Sequence, residues 1–180
     1  MRALKFSKYG DYRNLYISHE EIPTVNEGQL LVKVECSSLT TAESLMRQAR
    51  PFVVRFFLGL TRPKKGISGA CFSGTVIQAG QQVLRSKDQY PIFGELGSGL
   101  GSNCDYIIVD KNDFYLSLPS SLTHEQAACL CDGTITSYYF LTRLIKPLKH
   151  QRLLINGATG SLGVAAIQLA KSIGLHVTAV

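Results

Sequence analysis

The chain has 180 residues, 45% hydrophobic and 18% charged, with 19 Lys and Arg against 13 Asp and Glu for a net charge of +6. The hydrophobic fraction excludes a disordered chain, and the length suffices for one domain or a little more around a real core. There is no apolar run of about 18 residues to span a membrane, no apolar signal region behind Arg2 and Lys5, and an odd cysteine number, five, so reduced thiols in a cytoplasmic protein are expected.

In chain order, Met1–Ser7 and Leu15–His19 are the first strand candidates. Val32, Val34 and Cys36 alternate with Lys33 and Glu35, the period of a half-buried strand. Thr41–Arg50 reads as a short helix with Leu45 and Met46 inward. Phe72–Ala79 and Cys104–Val109 are further strands, the second after a turn-rich stretch from Gly94 to Gly101. Such spacing predicts a compact β-barrel-like domain. Near residue 119 the texture changes. Thr123-His124-Glu125-Gln126 has the capping-box pattern that opens a helix, and Gly133 is expected to interrupt it before a second helix at 134–144. Leu153–Ile155 reads as a buried strand, and Leu162, Ala166, Leu169, Ala170 and Ile173 mark the inner face of a helix. Gly174 caps that helix ahead of a last strand, Leu175–Val180.

Most of the chemical information lies between the last two strands. The segment Gly157-Ala158-Thr159-Gly160-Ser161-Leu162-Gly163 places a tight turn and a helix N-terminus directly after a strand. Pyrophosphate binding uses this arrangement, because backbone N–H groups and the helix dipole point at the anion. Gly160 gives the anion close approach, Gly163 lets the helix pack on the strand, and Ala158 replaces the first glycine of the usual G-x-G-x-x-G. The alternative is a strand-to-helix turn without a ligand. An acid that would hold the adenosine ribose is expected about 20 residues on, where the chain stops at Val180. One β-α-β unit does not complete a doubly wound sheet, so the sequence reads as an N-terminal portion.

The sequence resembles the medium-chain dehydrogenase/reductase superfamily, close to its zinc-free quinone-oxidoreductase-like branch. Four stretches carry the likeness: Gln29–Val34, Ser73–Gly80, Leu122–Ala128 and Leu154–Lys171. The resemblance implies a mixed α/β chain: a GroES-like β-barrel catalytic domain over residues 1–125, then the first β-α-β of a Rossmann doubly wound sheet over 126–180. It implies reduction of a quinone, an enone or another small carbonyl compound by a reduced nicotinamide, NADP(H) favoured over NAD(H). The fragment alone is expected to be inactive. Cofactor contacts fall on Thr136 and on Gly157, Ala158, Thr159, Gly160, Ser161, Leu162 and Gly163, and catalytic candidates are Thr40 and Glu43. Thr40-Thr41-Ala42-Glu43 departs from the family's Asn-Pro-x-Asp, so Thr40 reads equally as a helix N-cap, and Thr136 as a back-bonded helix threonine.

Zinc-dependent relatives would place ligands where this chain has Thr40, Ala70 and Asp132, and one carboxylate does not make a catalytic zinc site, so no metal is expected. Cys129-x-Cys131 reads as two small buried residues on a helix, and Asp132 as either a cleft acid or a solvated one. Arg55, Arg62, Lys64 and Lys65 follow the apolar run Phe52–Leu60 and read as a solvated face, with an anionic substrate or a membrane surface as the alternative. The expected partner is a small molecule, not nucleic acid or membrane, and a homodimer is left open. The competing functional readings are a non-catalytic interaction or nucleotide-sensing protein on the same fold and, more distantly, a zinc alcohol dehydrogenase.

Overall fold

The structure is a computed structural model that describes residues 1–64, 66–81, 89–97 and 100–180. Lys65 of the basic run and Ser98 and Gly99 of the glycine-rich turn lie outside the described residues. The chain is mixed α/β and divides into two units, Met1–Cys129 and Leu130–Val180.

In the first unit, β1 (Arg2–Phe6) and β2 (Leu15–His19) form an antiparallel ribbon. β3 (Leu30–Ser37), β4 (Cys71–Ala79), β5 (Tyr90–Glu95), β6 (Tyr106–Val109) and β7 (Phe114–Ser117) form an antiparallel sheet in the order β6-β3-β4-β5-β7. Single bridges at Ala3–Cys104 and Lys5–Ile67 tie the ribbon to the loops beside that sheet, and Arg2 clasps Asp105 with a guanidinium–carboxylate pair at 3.1 Å. The core is the inward face of the sheet, Leu30, Val32, Phe72, Val76, Ile92, Leu96, Ile107 and Val109. β-Branched and aromatic residues at alternate positions produce it, since successive side chains leave a strand on opposite faces. β5 begins within a Tyr-Pro pair and includes Gly94-Glu95, which the sequence pattern places in the following turn. A Cβ at Gly94 would overlap the carbonyl of Phe114, so this glycine lets β7 come close rather than marking a turn.

Two short helices connect β3 to β4, α1 (Thr41–Gln48) and α2 (Val54–Leu58). The expected inner side of α1 is corrected: Leu45 is exposed and the buried residue is Glu43. α3 (His124–Tyr139) starts with the expected capping box, Thr123 N–H donating to Gln126 Oε1 at 3.0 Å and Gln126 N–H to Thr123 Oγ1 at 3.3 Å. Gly133 does not break it; α3 runs through to Tyr139 and continues as a π-helical segment, Phe140–Ile145, that ends at Lys146 in the left-handed region.

The second unit packs α4 (Ser161–Ser172) on the parallel pair β8 (Arg152–Ile155) and β9 (His176–Ala179). Leu141, Ala170 and Leu175 form its core, with Leu153, Ala166, Leu169 and Val177 against them. Leu162 and Ile173, expected on the inner face of α4, are exposed. The buried residues of α4 are Gly163, Ala165 and Ala170, whose small size lets the helix come close.

Candidate functional site

The turn between β8 and α4 is built from backbone. Gly157 stands at φ +73°, a conformation that favours glycine, and open space surrounds the position a Cβ would take. The N–H groups of Gly157 and Ala158 donate to the Val180 carbonyl at 2.9 and 3.1 Å, and Gly160 N–H donates to Gly157 O at 3.1 Å. These bonds fold the turn back and deliver Gly160 to the N-cap of α4, where no side chain caps the helix. Among the described residues no acceptor takes the N–H groups of Ser161, Leu162 or Gly163, the first turn of α4. A helix begun in this way presents donors and the positive end of its dipole to an anion.

The glycines divide the work. A Cβ at Gly163 would overlap the Gly157 carbonyl and approach Ala158 Cα to 2.6 Å, so this residue is required by the chain's own packing. A Cβ at Gly160 would meet only Gly157 O at 3.5 Å, ordinary contact, so the chain itself does not require a glycine there. The open cradle at Gly157 and Gly160 with bare N–H groups behind it fits a pyrophosphate.

Behind the turn, Gly133 of α3 has the role that the expected helix break concealed. A Cβ on it would overlap the Ser161 carbonyl, so α3 passes the start of α4 in direct backbone contact. Ser137, buried four residues on, donates its hydroxyl to Leu162 O at 2.8 Å. Neither residue stands out in the sequence as part of a site, although a glycine and a serine one turn apart are the small-residue signal of a close helix crossing. Thr136 is exposed on the same helix. Asp132 accepts at its Oδ2 from Ser161 Oγ at 3.1 Å, which puts a carboxylate beside the N-terminus of α4. That negative charge opposes an incoming anion.

The catalytic candidates lie in the first unit. Thr40 N-caps α1, its Oγ1 accepting from Glu43 N–H at 3.2 Å. As an acceptor there, the hydroxyl keeps its own proton for donation. Glu43 is 7% exposed and its Oε2 accepts from Asn103 Nδ2 at 3.3 Å. Asn103 also donates to Ser68 Oγ at 3.0 Å, and Ser68 to the Leu4 carbonyl at 3.2 Å, so the acid is held by a buried polar chain reaching β1.

Of the positions the resemblance compares with zinc ligands, Thr40 is at this cap, Ala70 is buried just before β4, and Asp132 bonds Ser161. Among the described residues no three His, Cys, Asp or Glu side chains cluster as a metal site. Cys131 is buried, but Cys129, expected to be buried with it, is exposed. Burial pushes the Cys104 thiol up to about 11. It also raises Cys36, with the charge of Glu125 adding to the effect.

No protein-family model matches the chain. Among curated proteins it is 26% identical over 182 residues to a mitochondrial NAD(P)H oxidoreductase of Dictyostelium discoideum, covering 95% of this chain and 49% of that protein. It is 28% identical to a chloroplastic quinone-oxidoreductase homolog of Spinacia oleracea, covering 99% and 55%. Its relatives are quinone oxidoreductases and enoyl reductases. In three dimensions it matches the quinone oxidoreductase of Coxiella burnetii with a TM-score of 0.87 and 26% identity, over 99% of this chain and 56% of that one. The fold is shared with the CurK enoyl reductase at the same TM-score, 0.87, and 23% identity. The likeness to the medium-chain dehydrogenase/reductase superfamily read from the sequence therefore stands. The chain spans about half the length of the curated relatives it matches. Among the described residues no helix is long and apolar enough to cross a membrane.

Proposed function

We propose that this chain is the N-terminal portion of an NAD(P)H-dependent, zinc-free oxidoreductase acting on a quinone, an enone or another small carbonyl compound. Residues 1–125 would form its GroES-like catalytic domain and residues 126–180 the opening of its Rossmann domain. The observation that carries this reading is the open glycine turn, with space where a side chain at Gly160 would stand and bare N–H groups at the start of α4.

When bound, a reduced nicotinamide supplies the hydride. The protein's part is to bind and orient. N–H groups of Ser161, Leu162 and Gly163 receive the pyrophosphate, and Gly160 leaves it room. Thr136, exposed on α3, is the residue the resemblance sets against the nicotinamide. The Thr40 hydroxyl, its lone pair engaged by Glu43 N–H, donates a hydrogen bond to a substrate oxygen and steadies developing negative charge. Glu43 positions Thr40 by anchoring α1 to Asn103. NADP(H) is favoured over NAD(H) on the family resemblance, and the net charge of +6 is compatible with the more anionic cofactor; the cytoplasm is the proposed compartment.

The test is NADPH oxidation by the complete gene product with a simple quinone and a simple enone. Turnover lost in Gly160→Val, with folding intact, supports the reading; cofactor binding without turnover on any such acceptor sinks it. That second outcome is what the alternative expects, a non-catalytic nucleotide-sensing protein on this fold. It draws on one observation: Thr40 and Glu43 both have structural duties in α1.

A further inference from the structure

The segment between α1 and β4 is inside out. On α2 and its flanks the residues turned toward the protein are Val54, Arg55 and Leu58, whereas Phe52, Val53, Phe56, Phe57 and Leu60 face solvent. Phe56 is 63% exposed and Phe57 79%. The one charged residue of α2 is the one drawn inward: the Arg55 guanidinium lies 4.9 Å from the Tyr9 ring centre and 5.3 Å from that of Phe52, with its Nε buried and lacking a hydrogen-bond acceptor among the described residues. The exposed face is held in place. Tyr9 donates its hydroxyl to Gly59 O at 2.6 Å, Lys64 N–H donates to Leu58 O at 2.8 Å, and Phe52 and Phe56 stack edge to face at 6.3 Å. A helix that turns its half-buried arginine inward and shows its phenyl rings is organised for a partner rather than for water.

Charge identifies the partner. Arg50, Arg62 and Lys64, all exposed, flank the apolar face along the chain. Between Glu43 and Asp88 the sequence has eight Lys and Arg and no Asp or Glu. Exposed phenyl rings flanked in the chain by cations, with no acid in the surrounding sequence, complement an anionic lipid surface, where the rings enter the acyl boundary and the cations meet headgroups. We propose that α2 and its flanks form a docking surface for anionic membranes. It takes up the membrane-surface alternative for this run and departs from the expectation that the protein has no membrane partner. The proposal does not rest on the redox reading, and its failure would leave the NADPH assay untouched.

The chain has no tryptophan, so one introduced residue reports its own surroundings. Phe57→Trp and, on the separate strand β7, Phe114→Trp are each mixed with phosphatidylcholine vesicles with and without phosphatidylglycerol. The proposal expects a blue shift of emission from the Phe57→Trp protein with the anionic vesicles only, none from the Phe114→Trp protein, and weakening as salt rises. Flotation of the complete gene product should show the same lipid dependence, and a face that the rest of that protein covers, leaving vesicles unbound, overturns the proposal. Phe56→Ser/Phe57→Ser and, separately, Arg62→Gln/Lys64→Gln should each cut vesicle affinity about tenfold or more, with unfolding temperature unchanged because all four side chains are exposed. No vesicle binding, equal shifts in both tryptophan variants, or binding that survives both double variants overturns the proposal. So does a dimer in gel filtration that Phe56→Ser/Phe57→Ser dissolves while vesicles remain unbound, since the face would then belong to a second copy.

Discussion

The two units bury their apolar residues in different ways. The antiparallel sheet of the first unit encloses Leu30, Val32, Phe72 and Val109 almost completely. The second unit has one parallel strand pair with α4 on one side; Leu153 and Val177 pack under the helix, while Leu154, one residue along, is 66% exposed. Adjacent strand residues point to opposite faces, so one helix covers only half of such a pair. Parallel sheets are stable when both faces are covered, whereas an antiparallel sheet tolerates one wet face. The difference predicts that side-chain truncations weigh heavily in the first unit and lightly on the bare face of the second.

The largest expected effect tests that contrast directly. Phe72→Ala should cost roughly 3–5 kcal/mol in urea unfolding, and Leu154→Ala no more than about 0.5 kcal/mol. Equal effects would mean that Leu154 is covered in solution. Next is a pH effect confined to the first unit. The Cys104 thiol is raised from 9.0 to about 11 by burial, so the folded state retains a proton that the unfolded state gives up. The stability tied to that proton is full below the unfolded value and is lost as pH climbs toward the folded one, a decline of roughly 2–3 kcal/mol. Urea midpoints measured across this window should fall less steeply for Cys104→Ala than for the unaltered protein. Thiol alkylation near neutral pH should label exposed Cys129 well before Cys104.

Smaller effects separate packing from binding within the glycine turn. Gly163→Ala should destabilise the second unit by about 1–3 kcal/mol because its Cβ meets backbone. Gly160→Ala should leave unfolding unchanged and weaken NADPH binding by the complete gene product, as titration calorimetry would show. If both substitutions destabilise equally, the cradle is packing and not a site. The smallest effect concerns the carboxylate at the start of α4. Asp132→Asn keeps an acceptor for Ser161 and removes the charge, so NADPH affinity should rise by about 0.3–1 kcal/mol.

Much of this is legible in local pattern. β2 falls at Leu15–His19 as expected, the capping box forms at Thr123 and Gln126, and the strand–turn–helix at 152–172 stands where the glycines place it. These features depend on backbone propensity and on neighbours a few residues away. The misreadings share one cause. Gly94 and Gly133 look like breaks, yet each admits a distant backbone, β7 in one case and the start of α4 in the other. The burial of Glu43 is equally beyond local pattern, since its partner Asn103 lies sixty positions along the chain.

The sequence by itself determined the type of those elements it marks by periodicity or capping, the phosphate-turn pattern and the superfamily likeness, because periodicity, capping and glycine spacing are local properties of the chain; β5, β7 and α2 carry no such mark. Only the tertiary structure decided which glycine serves packing and which leaves an opening. It also decided that Asp132 stands at the mouth of the turn and that Arg55 turns inward while the phenyl rings around it turn out. Each of those outcomes depends on which remote surface a residue meets, and that is set by packing between elements rather than by spacing along the chain.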